Sequence, residues 1–399
     1  MDIDRSNRYV ASPSDLADFL TQLKGCDRIA IDTEFVGEDR FAPRLELIQV
    51  AAEGVAAVID FQAVEASEPL ADFWSLICDR HVEKVLHAGR QDLELFLTHA
   101  GQIPKPFFDT QIAAAMVGYG PQTAYANLVQ RVQGVKLDKG QTFTNWSQRP
   151  LTQEQMIYAL ADVQFLIPVH EHLRGRLRAL GRLDWVDEEF ARLEGAVGSQ
   201  ARDPLERYQR IRGWDNLKPR SAAVLRELAS WREGEARRRN VPRGRVARDE
   251  VLLQLARQAP RSVEQLRGVR GMYGGEIERN GGVIVDLIHR AMTSPSIEWP
   301  DVPRQKKVDP ESTGTVELLQ SVLKAVAAEA NIAPTLLATT GDLQTLIEMK
   351  ADRSEADLPI LRGWRRRLAG DLLLEVLAGE IKVWISSDTG KIELGRLLS

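Results

Sequence analysis

One short stretch, Ile29-Ala-Ile-Asp-Thr-Glu-Phe35, constrains the fold of this chain more than any other. It begins as an apolar run typical of a buried strand and then carries two carboxylates, Asp32 and Glu34. Side chains alternate along a strand, so both acids point to the same side. Like charges this close repel each other and resist burial, and oxygen ligands of this kind suit magnesium or manganese. The alternative is a pair of solvated acids at a strand end.

Further acids follow other predicted elements. Residues 84–88 predict a short strand and residues 90–99 a helix, which places Asp92 in the first turn of that helix. A second helix, beginning at Thr152, carries Tyr158 and Asp162. Their i, i+4 spacing places both on one helix face. We expect these acids to meet at one edge of the sheet.

Two other polar residues and one loop are interpreted more simply. Asp109 is predicted to cap the helix that begins at Gln111, and His87 is interpreted as a satisfied core histidine. Residues 136–150 read as a long loop, and long loops inside compact domains are often functional. In it, Lys139 and Arg149 are candidates for contacts with phosphates.

Together these segments resemble the DEDDy class of 3′–5′ exonucleases, and within that class the ribonuclease D family. They occur in the order of the family and cover about residues 10–175. The segments that carry the resemblance are Ile31–Phe35, His87–Glu94, Leu137–Lys139, Trp146–Leu151 and Tyr158–Asp162.

The resemblance implies a ribonuclease-H-like α/β domain, with a mixed sheet flanked by helices, and two divalent metal ions, Mg²⁺ or Mn²⁺. Asp32 would bridge the metals, Glu34 and Asp162 would complete the ligands of the first, and Asp92 would support the second. Tyr158 would orient the attacking water. The substrates implied are the 3′ trailers of precursor tRNA and other small structured RNAs, and the products are nucleoside 5′-monophosphates.

The middle of the chain is basic. Residues 201–290 contain 12 acids and 20 bases, and seven arginines lie between Trp231 and Arg248. The helical pattern here resembles the helicase-and-RNase-D C-terminal (HRDC) domain, an all-α bundle. Such a bundle would hold RNA by its phosphates without reading its bases. The alternative is a bundle that only docks on the catalytic domain. The candidate contacts are Arg237, Arg238, Arg239, Arg243 and Arg245.

The domain organisation follows from these patterns and from the length of 399 residues, which exceeds one compact core. Residues 1–175 are predicted as the exonuclease domain, with a helical linker at 176–207. Residues 208–291 are predicted as the first HRDC-like domain and 292–312 as a linker. Residues 313–399 are interpreted as a second, diverged HRDC-like helical domain, since Asn331–Pro334 echoes Asn240–Pro242. Whether that domain binds RNA is left open.

Cysteine content and hydropathy limit the cellular compartments that we expect for this protein. Two cysteines, Cys26 and Cys78, are too few for a disulfide framework or a thiolate metal site. The charged start does not suggest a secretory signal, and no run of about 18 apolar residues predicts a membrane span. We therefore expect a cytoplasmic protein without a membrane partner.

The sequence thus predicts a metal-dependent 3′–5′ exoribonuclease. One alternative is a DNA exonuclease like those fused to helicases, although no glycine-rich phosphate loop of the helicase type occurs in this chain. Another is a non-catalytic RNA-binding scaffold with a dead nuclease fold. The presence of all four acids and Tyr158 argues against the scaffold.

Overall fold

The structure, a computed structural model, describes residues 7–37, 39–137, 140, 144–198, 204–302, 312–349 and 358–396. The chain divides into two compact units. The first unit contains residues 1–34, 45–198 and 308–399, and the second contains residues 35–44 and 199–307. Each unit has a hydrophobic core of its own.

Among the described residues, six strands form a mixed sheet in the order β1-β4-β3-β2-β5-β6. β3 and β4 are antiparallel, whereas β1 is parallel to β4 and β5 is parallel to both β2 and β6. This confirms the predicted mixed sheet, although β1 was not predicted because its sequence is polar and charged. The strands are β1 (Asn7–Val10), β2 (Arg28–Val36), β3 (Arg44–Ala52), β4 (Val55–Asp60), β5 (Glu83–Leu86) and β6 (Phe107–Asp109).

Helices accompany this sheet, and some of them begin at a capping side chain. Ser12 accepts a hydrogen bond from the Asp15 amide at 3.2 Å, and Thr152 forms a reciprocal capping box with Gln155. The helices are α1 (Pro13–Gln22), α2 (Phe61–Val64), α3 (Glu68–Cys78), α4 (Arg90–Ala100), α5 (Thr110–Met116), α6 (Tyr125–Gln133), α7 (Gln153–Gln164), α8 (Leu166–Ala179) and α9 (Leu183–Gly198).

The buried carboxylate of Asp109 joins the starts of two helices. It accepts from the Gln111 amide at 2.8 Å, which confirms the predicted cap of α5. It also accepts from the amides of Ala88 at 3.1 Å and Gly89 at 2.9 Å. Ala88 has a φ of 56°, a conformation that an L residue rarely adopts without support. Asp109 therefore holds the turn from β5 into α4, the helix that carries Asp92.

The second unit is helical. Its core is formed mainly by α10, α12 and α14, and Trp231 packs against it. The helices are α10 (Pro219–Arg239), α11 (Arg243–Val246), α12 (Asp249–Gln258), α13 (Val263–Leu266) and α14 (Gly274–Thr293), with 3-10 segments at Pro204–Arg210, Trp214–Asn216 and Ser296–Glu298.

The C-terminal residues belong to the first unit. The sequence predicts a separate helical domain at 313–399, whereas here this region shares one core with α5, α8 and α9 and ends in a two-stranded hairpin that was not predicted. The elements are α15 (Ser312–Glu329), α16 (Thr340–Glu348), α17 (Gly363–Arg365), α18 (Asp371–Leu377), β7 (Ile381–Ile385) and β8 (Ile392–Arg396), with 3-10 segments at Pro334–Leu336 and Pro359–Leu361 and a π-helical turn at Arg366–Gly370.

Buried contacts join this C-terminal region to α9. The rings of Trp185 and Trp364 stack with centroids 4.5 Å apart and planes inclined by 14°. Glu189 accepts from the Trp364 indole nitrogen at 3.1 Å and pairs with Arg365. Although burial alone would raise the pKa of the Glu189 carboxyl, these partners lower it below its usual value. Trp364 and Arg365 of α17 are therefore held against α9 by ring stacking, a hydrogen bond and an ion pair.

Of the helices in the described ranges, none is at once long and apolar enough to cross a membrane.

We expect Trp364→Ala to lower the free energy of unfolding by about 4 kcal/mol, because it removes a fully buried ring from the shared core. Trp384→Ala is the matched control: this tryptophan is 37% exposed on β7, and its loss should cost less than about 1 kcal/mol. Urea denaturation of the full chain measures both. Equal losses for the two variants would contradict the shared core.

Candidate active site

Three of the predicted acids meet in space. Asp32 and Glu34 extend from β2 and Asp162 from α7, and each offers a carboxylate oxygen within 4.8 Å of the other two. All three side chains are half-buried. The alternation along β2 places its two acids on one side, as the sequence predicts, and the packing of α7 brings the third acid to them.

Asp92 reaches the same region from the neighbouring strand. β5 runs parallel to β2, with Ile29 paired to Lys84, so both strands end at the same edge of the sheet. α4 begins directly after β5, and Asp92 lies in its first turn. The Thr33 hydroxyl donates to the Asp92 carboxylate. Asp92 lies outside the set of three, but its charge raises the pKa values of both Asp32 and Glu34.

The pKa values of the four carboxyl groups are all raised, so a nearby positive charge would stabilise their ionised forms. Burial, followed by the charges of Asp162 and Asp92, raises the pKa of Glu34 to about 8. Burial raises the pKa of Asp162 to about 7 and that of Asp92 to about 6, the latter against the opposing Thr33 hydrogen bond. Burial and the three other acids raise the pKa of Asp32 well above its usual range. Hard carboxylate oxygens that repel one another in this way fit a divalent cation.

Tyr158 lies on α7 one turn before Asp162, as predicted, and is half-buried. Its ring centroid is 6.0 Å from that of Trp146, with an interplanar angle of 39°. Trp146 itself is 4% exposed. A buried residue of the 136–150 loop thus packs beside the tyrosine.

Tyr125 also lies at this site, although the sequence did not predict it. Its hydroxyl donates to the carbonyl of Ala161 at 3.2 Å, one residue before Asp162. Burial and then the Asp162 charge raise the pKa of Tyr125, so it stays a neutral donor. The two residues are 36 positions apart, and no motif links them, so only the packing of α6 against α7 reveals the contact.

His87 lies beside Tyr125, with ring centroids 5.4 Å apart. Its Nε2 donates to the Thr123 carbonyl at 3.1 Å, and its Nδ1 lies 2.9 Å from the Thr110 hydroxyl. Burial lowers the pKa of the imidazole. The prediction of a satisfied core histidine is confirmed.

The two predicted loop contacts have different outcomes. Lys139 lies outside the described residues. Arg149 pairs with Asp60, with Nη2 2.9 Å from Oδ1, and its other hydrogens reach the carbonyls of Trp146, Gln148 and Glu46. All five guanidinium hydrogens are thus used within the protein. Arg149 could meet a phosphate only by giving up these bonds.

The predicted arginine cluster of the second unit is largely neutralised by glutamates. Arg239 makes two bonds of 2.8 Å to Glu276, and Arg243 pairs with Glu233 at 2.5 and 2.8 Å. Arg238 pairs with Glu235 at 2.6 Å. These bonds hold the bundle together and reduce the charge that the cluster presents to a polyanion.

The two remaining arginines of that cluster contact residues 35–44, which belong to the same unit. The guanidinium groups of Arg237 and Arg243 lie 5.4 and 4.5 Å from the centre of the Phe41 ring. Arg245 pairs with Asp39 at 2.8 Å. Arg245 is 64% exposed and Arg238 67% exposed, so both keep hydrogens that a phosphate could reach.

Family models match two parts of the chain. A model for a 3′–5′ exonuclease matches residues 7–178, and a model for the HRDC domain matches residues 221–288. The first range contains the four acids and Tyr158, and the second lies within the first predicted helical domain. The second, diverged copy at 313–399 stays a prediction.

Relatives of known name match nearly the whole chain. Ribonuclease D of Granulibacter bethesdensis is 40% identical over 378 residues, which cover 94% of each chain. Ribonuclease D of Bartonella henselae is 34% identical over 396 residues, covering 99% of this chain and 95% of the relative.

A solved structure is also similar to this chain. Escherichia coli RNase D, described as an exoribonuclease involved in structured RNA processing, superposes with a TM-score of 0.81 at 30% identity. The superposition covers 93% of this chain and 98% of that one. The family models, the named relatives and the solved structure thus agree with one another. This chain belongs to the ribonuclease D family.

Proposed function

We propose that this chain is a metal-dependent 3′–5′ exoribonuclease that removes nucleotides one at a time from the 3′ end of RNA. The observation that carries the proposal is the meeting of Asp32, Glu34 and Asp162 within 4.8 Å, one helical turn from Tyr158. Membership in the ribonuclease D family supports RNA as the substrate.

The acids are the residues that would hold the metal. Asp32, Glu34 and Asp162 offer oxygens to a shared cation, and Asp92, aligned by the Thr33 hydroxyl, would support a second one. When bound, two divalent cations would supply the charge that loosens a proton from water and stabilises the leaving oxygen. The repulsion among the four carboxylates, seen in their raised pKa values, supports this assignment.

Tyr158 is the residue that we assign to positioning the attacking water. Its place on α7 is set by Asp162 one turn later and by the ring of Trp146 beside it. The water forms a bond to phosphorus and the 3′-oxygen of the preceding nucleotide leaves with a proton. The released product is therefore a nucleoside 5′-monophosphate.

The natural substrates that we propose are the 3′ trailers of precursor tRNA and other small structured RNAs. The description of the Escherichia coli protein, which takes part in structured RNA processing, supports this class. A DNA exonuclease is the alternative within the same chemistry, and a catalytically inactive RNA-binding scaffold is the alternative outside it. One assay separates the three.

The assay uses a stem-containing RNA with a 3′ extension and a 5′ label, incubated with Mg²⁺ or Mn²⁺ or with chelator. We expect a ladder that shortens from the 3′ end and disappears in chelator. Asp162→Asn should lower the rate at least about 10³-fold, because it removes a metal-ligating charge. Glu154→Gln, an exposed change on the same helix, should retain the parent rate. Equal trimming of a matched DNA would favour the DNA exonuclease, and binding without cleavage would favour the scaffold.

Tyr158→Phe tests the water-positioning role. Losing the hydroxyl alone should reduce kcat about 10²-fold while KM changes less than about twofold, since the ring still packs against Trp146. Tyr273→Phe is the control, because Tyr273 is 44% exposed on the second unit. Single-turnover cleavage gives the comparison. A parent-like kcat for Tyr158→Phe would remove the hydroxyl from the mechanism.

The raised carboxyl pKa values predict how stability depends on pH. Without metal, these four carboxyl groups bind more protons in the folded protein than in the unfolded chain between about pH 4 and 8, so their contribution to stability falls as pH rises through this window. We expect Glu34→Gln to raise the Tm of the metal-free protein at pH 8 and to change it little at pH 5. Adding Mn²⁺ should raise the Tm of the parent more at pH 8 than at pH 6. Thermal unfolding with and without chelator measures this, and a Tm unaffected by Glu34→Gln at pH 8 would refute it.

A further inference from the structure

A cavity of about 450 Å³ lies within the second unit, between the Pro204–Arg210 segment, α10, and the starts of α11 and α12. Five arginines line it: Arg207, Arg210, Arg232, Arg243 and Arg248. Of these five, Arg243 alone is among the candidate RNA contacts named from the sequence. The other four are spread over 42 residues of sequence, and the fold brings them together.

The cavity carries more positive than negative charge. Three carboxylates share its lining, those of Glu233, Asp249 and Glu250, against the five guanidinium groups. Counting full charges, two positive charges remain without a negative counterpart. A cavity lined in this way attracts an anion.

Two of the carboxylates are already engaged. Glu233, which is 3% exposed, pairs with Arg243 at 2.5 Å and faces Arg207 at 3.6 Å. Asp249 pairs with Arg232 at 2.6 Å. Among the described residues, neither Arg210 nor Arg248 makes an ion pair, and both are exposed. Their hydrogens are the ones that a bound anion would take.

Arg232 adds a buried donor at the cavity wall. The residue is 7% exposed, and its Nη1 donates to the Ala247 carbonyl at 3.0 Å as well as to Asp249. Its Nε is buried and has no hydrogen-bond acceptor among the described residues. A buried donor without an acceptor costs free energy. The cavity wall at Arg232 therefore has fewer hydrogen-bond acceptors than donors.

The closeness of the guanidinium groups to one another also favours the binding of an anion. Burial lowers the pKa of Arg207, and although Glu233 opposes this, the charges of Arg243, Arg210 and Arg237 lower it further. An arginine whose charge is disfavoured by its neighbours is stabilised when an anion enters among them.

We propose that this cavity binds a phosphate group, held by guanidinium forks from Arg210 and Arg248 and by the charge of Arg207 behind them. Planar forks match phosphate oxygens two at a time, and arginine is the residue that proteins use for this. The phosphate comes from the backbone of the RNA strand, and in this point the inference rests on the proposed function. The second unit would then bind RNA phosphates in this cavity as well as at its exposed arginines.

The test measures binding by the full-length protein in chelator, where no cleavage occurs. Fluorescence anisotropy follows a single-stranded RNA with a 5′-hydroxyl end, so that all of its phosphates are diesters. Arg210→Gln and Arg248→Gln should each weaken binding about tenfold and lower the slope of log affinity against log salt by about one. The control is Arg257→Gln, which removes the same charge from an exposed position on α12 outside the cavity lining and should bind within about twofold of the parent.

A second variant distinguishes bidentate binding by the planar guanidinium group from attraction by a positive charge alone. Arg210→Lys keeps the charge but loses the planar pair of donors, so its affinity should fall between those of the parent and Arg210→Gln. Full recovery by lysine, or equal losses in Arg210→Gln and Arg257→Gln, would overturn the pocket in favour of general charge attraction. Circular dichroism and Tm confirm that each variant is folded.

Small phosphate compounds test whether the bound phosphate comes from the RNA backbone or from a terminal phosphomonoester. Inorganic phosphate and a nucleoside 5′-monophosphate should raise the Tm of the parent in chelator, and Arg248→Gln should abolish most of that shift. If the nucleotide shift depends on Arg248 while RNA affinity does not, the pocket still binds phosphate but takes a terminal monoester. No shift with either compound and unchanged RNA affinity would overturn the proposal. Because none of these readouts needs catalysis, they stand apart from the cleavage assay that tests the proposed function.

Discussion

Mutual repulsion among buried carboxylates is the constraint on which the catalytic unit depends. Asp32, Glu34 and Asp162 hold oxygens within 4.8 Å of one another at the edge of a sheet, with Asp92 close enough to raise the pKa values of two of them. Such an arrangement opposes folding unless the backbone around it is held by other means. The surrounding structure supplies those means, from the parallel pairing of β2 with β5 to the Asp109 carboxylate that accepts four backbone amides.

The second unit solves the opposite problem, an excess of arginine. Glu233, Glu235 and Glu276 are buried within it and take up Arg238, Arg239 and Arg243. Counting charges along the sequence therefore overstates how much of this region is available to RNA. Arg210 and Arg248, beside a cavity, make no ion pair among the described residues. Arg245 and Arg238 are paired with Asp39 and Glu235 but stay exposed. Which arginine is structural and which is available depends on its nearest carboxylate.

Much of the fold was predictable because local patterns agreed with the final packing. The strand that carries Asp32 and Glu34 and the short strand predicted at 84–88 are present, as are the cap at Asp109 and the helix that carries Tyr158. The prediction failed where local pattern carries little information. β1 has a polar sequence and is a strand because β4 offers it hydrogen bonds. The C-terminal helices have ordinary amphipathic faces, and nothing in them indicates that residues near Trp185 and Phe190 would cover those faces.

The sequence by itself was enough to propose which residues carry the chemistry. Asp32, Glu34, Asp92, Tyr158 and Asp162 stand in a spaced order, and because strand and helix periodicity are local properties, that order places each side chain on the correct face. Tertiary structure alone decided which distant side chains meet: Tyr125 near Asp162, Thr33 on Asp92, Arg149 on Asp60, and five arginines around one cavity. These contacts join positions far apart in the chain. They arise from the packing of whole elements, which no single segment of the sequence encodes.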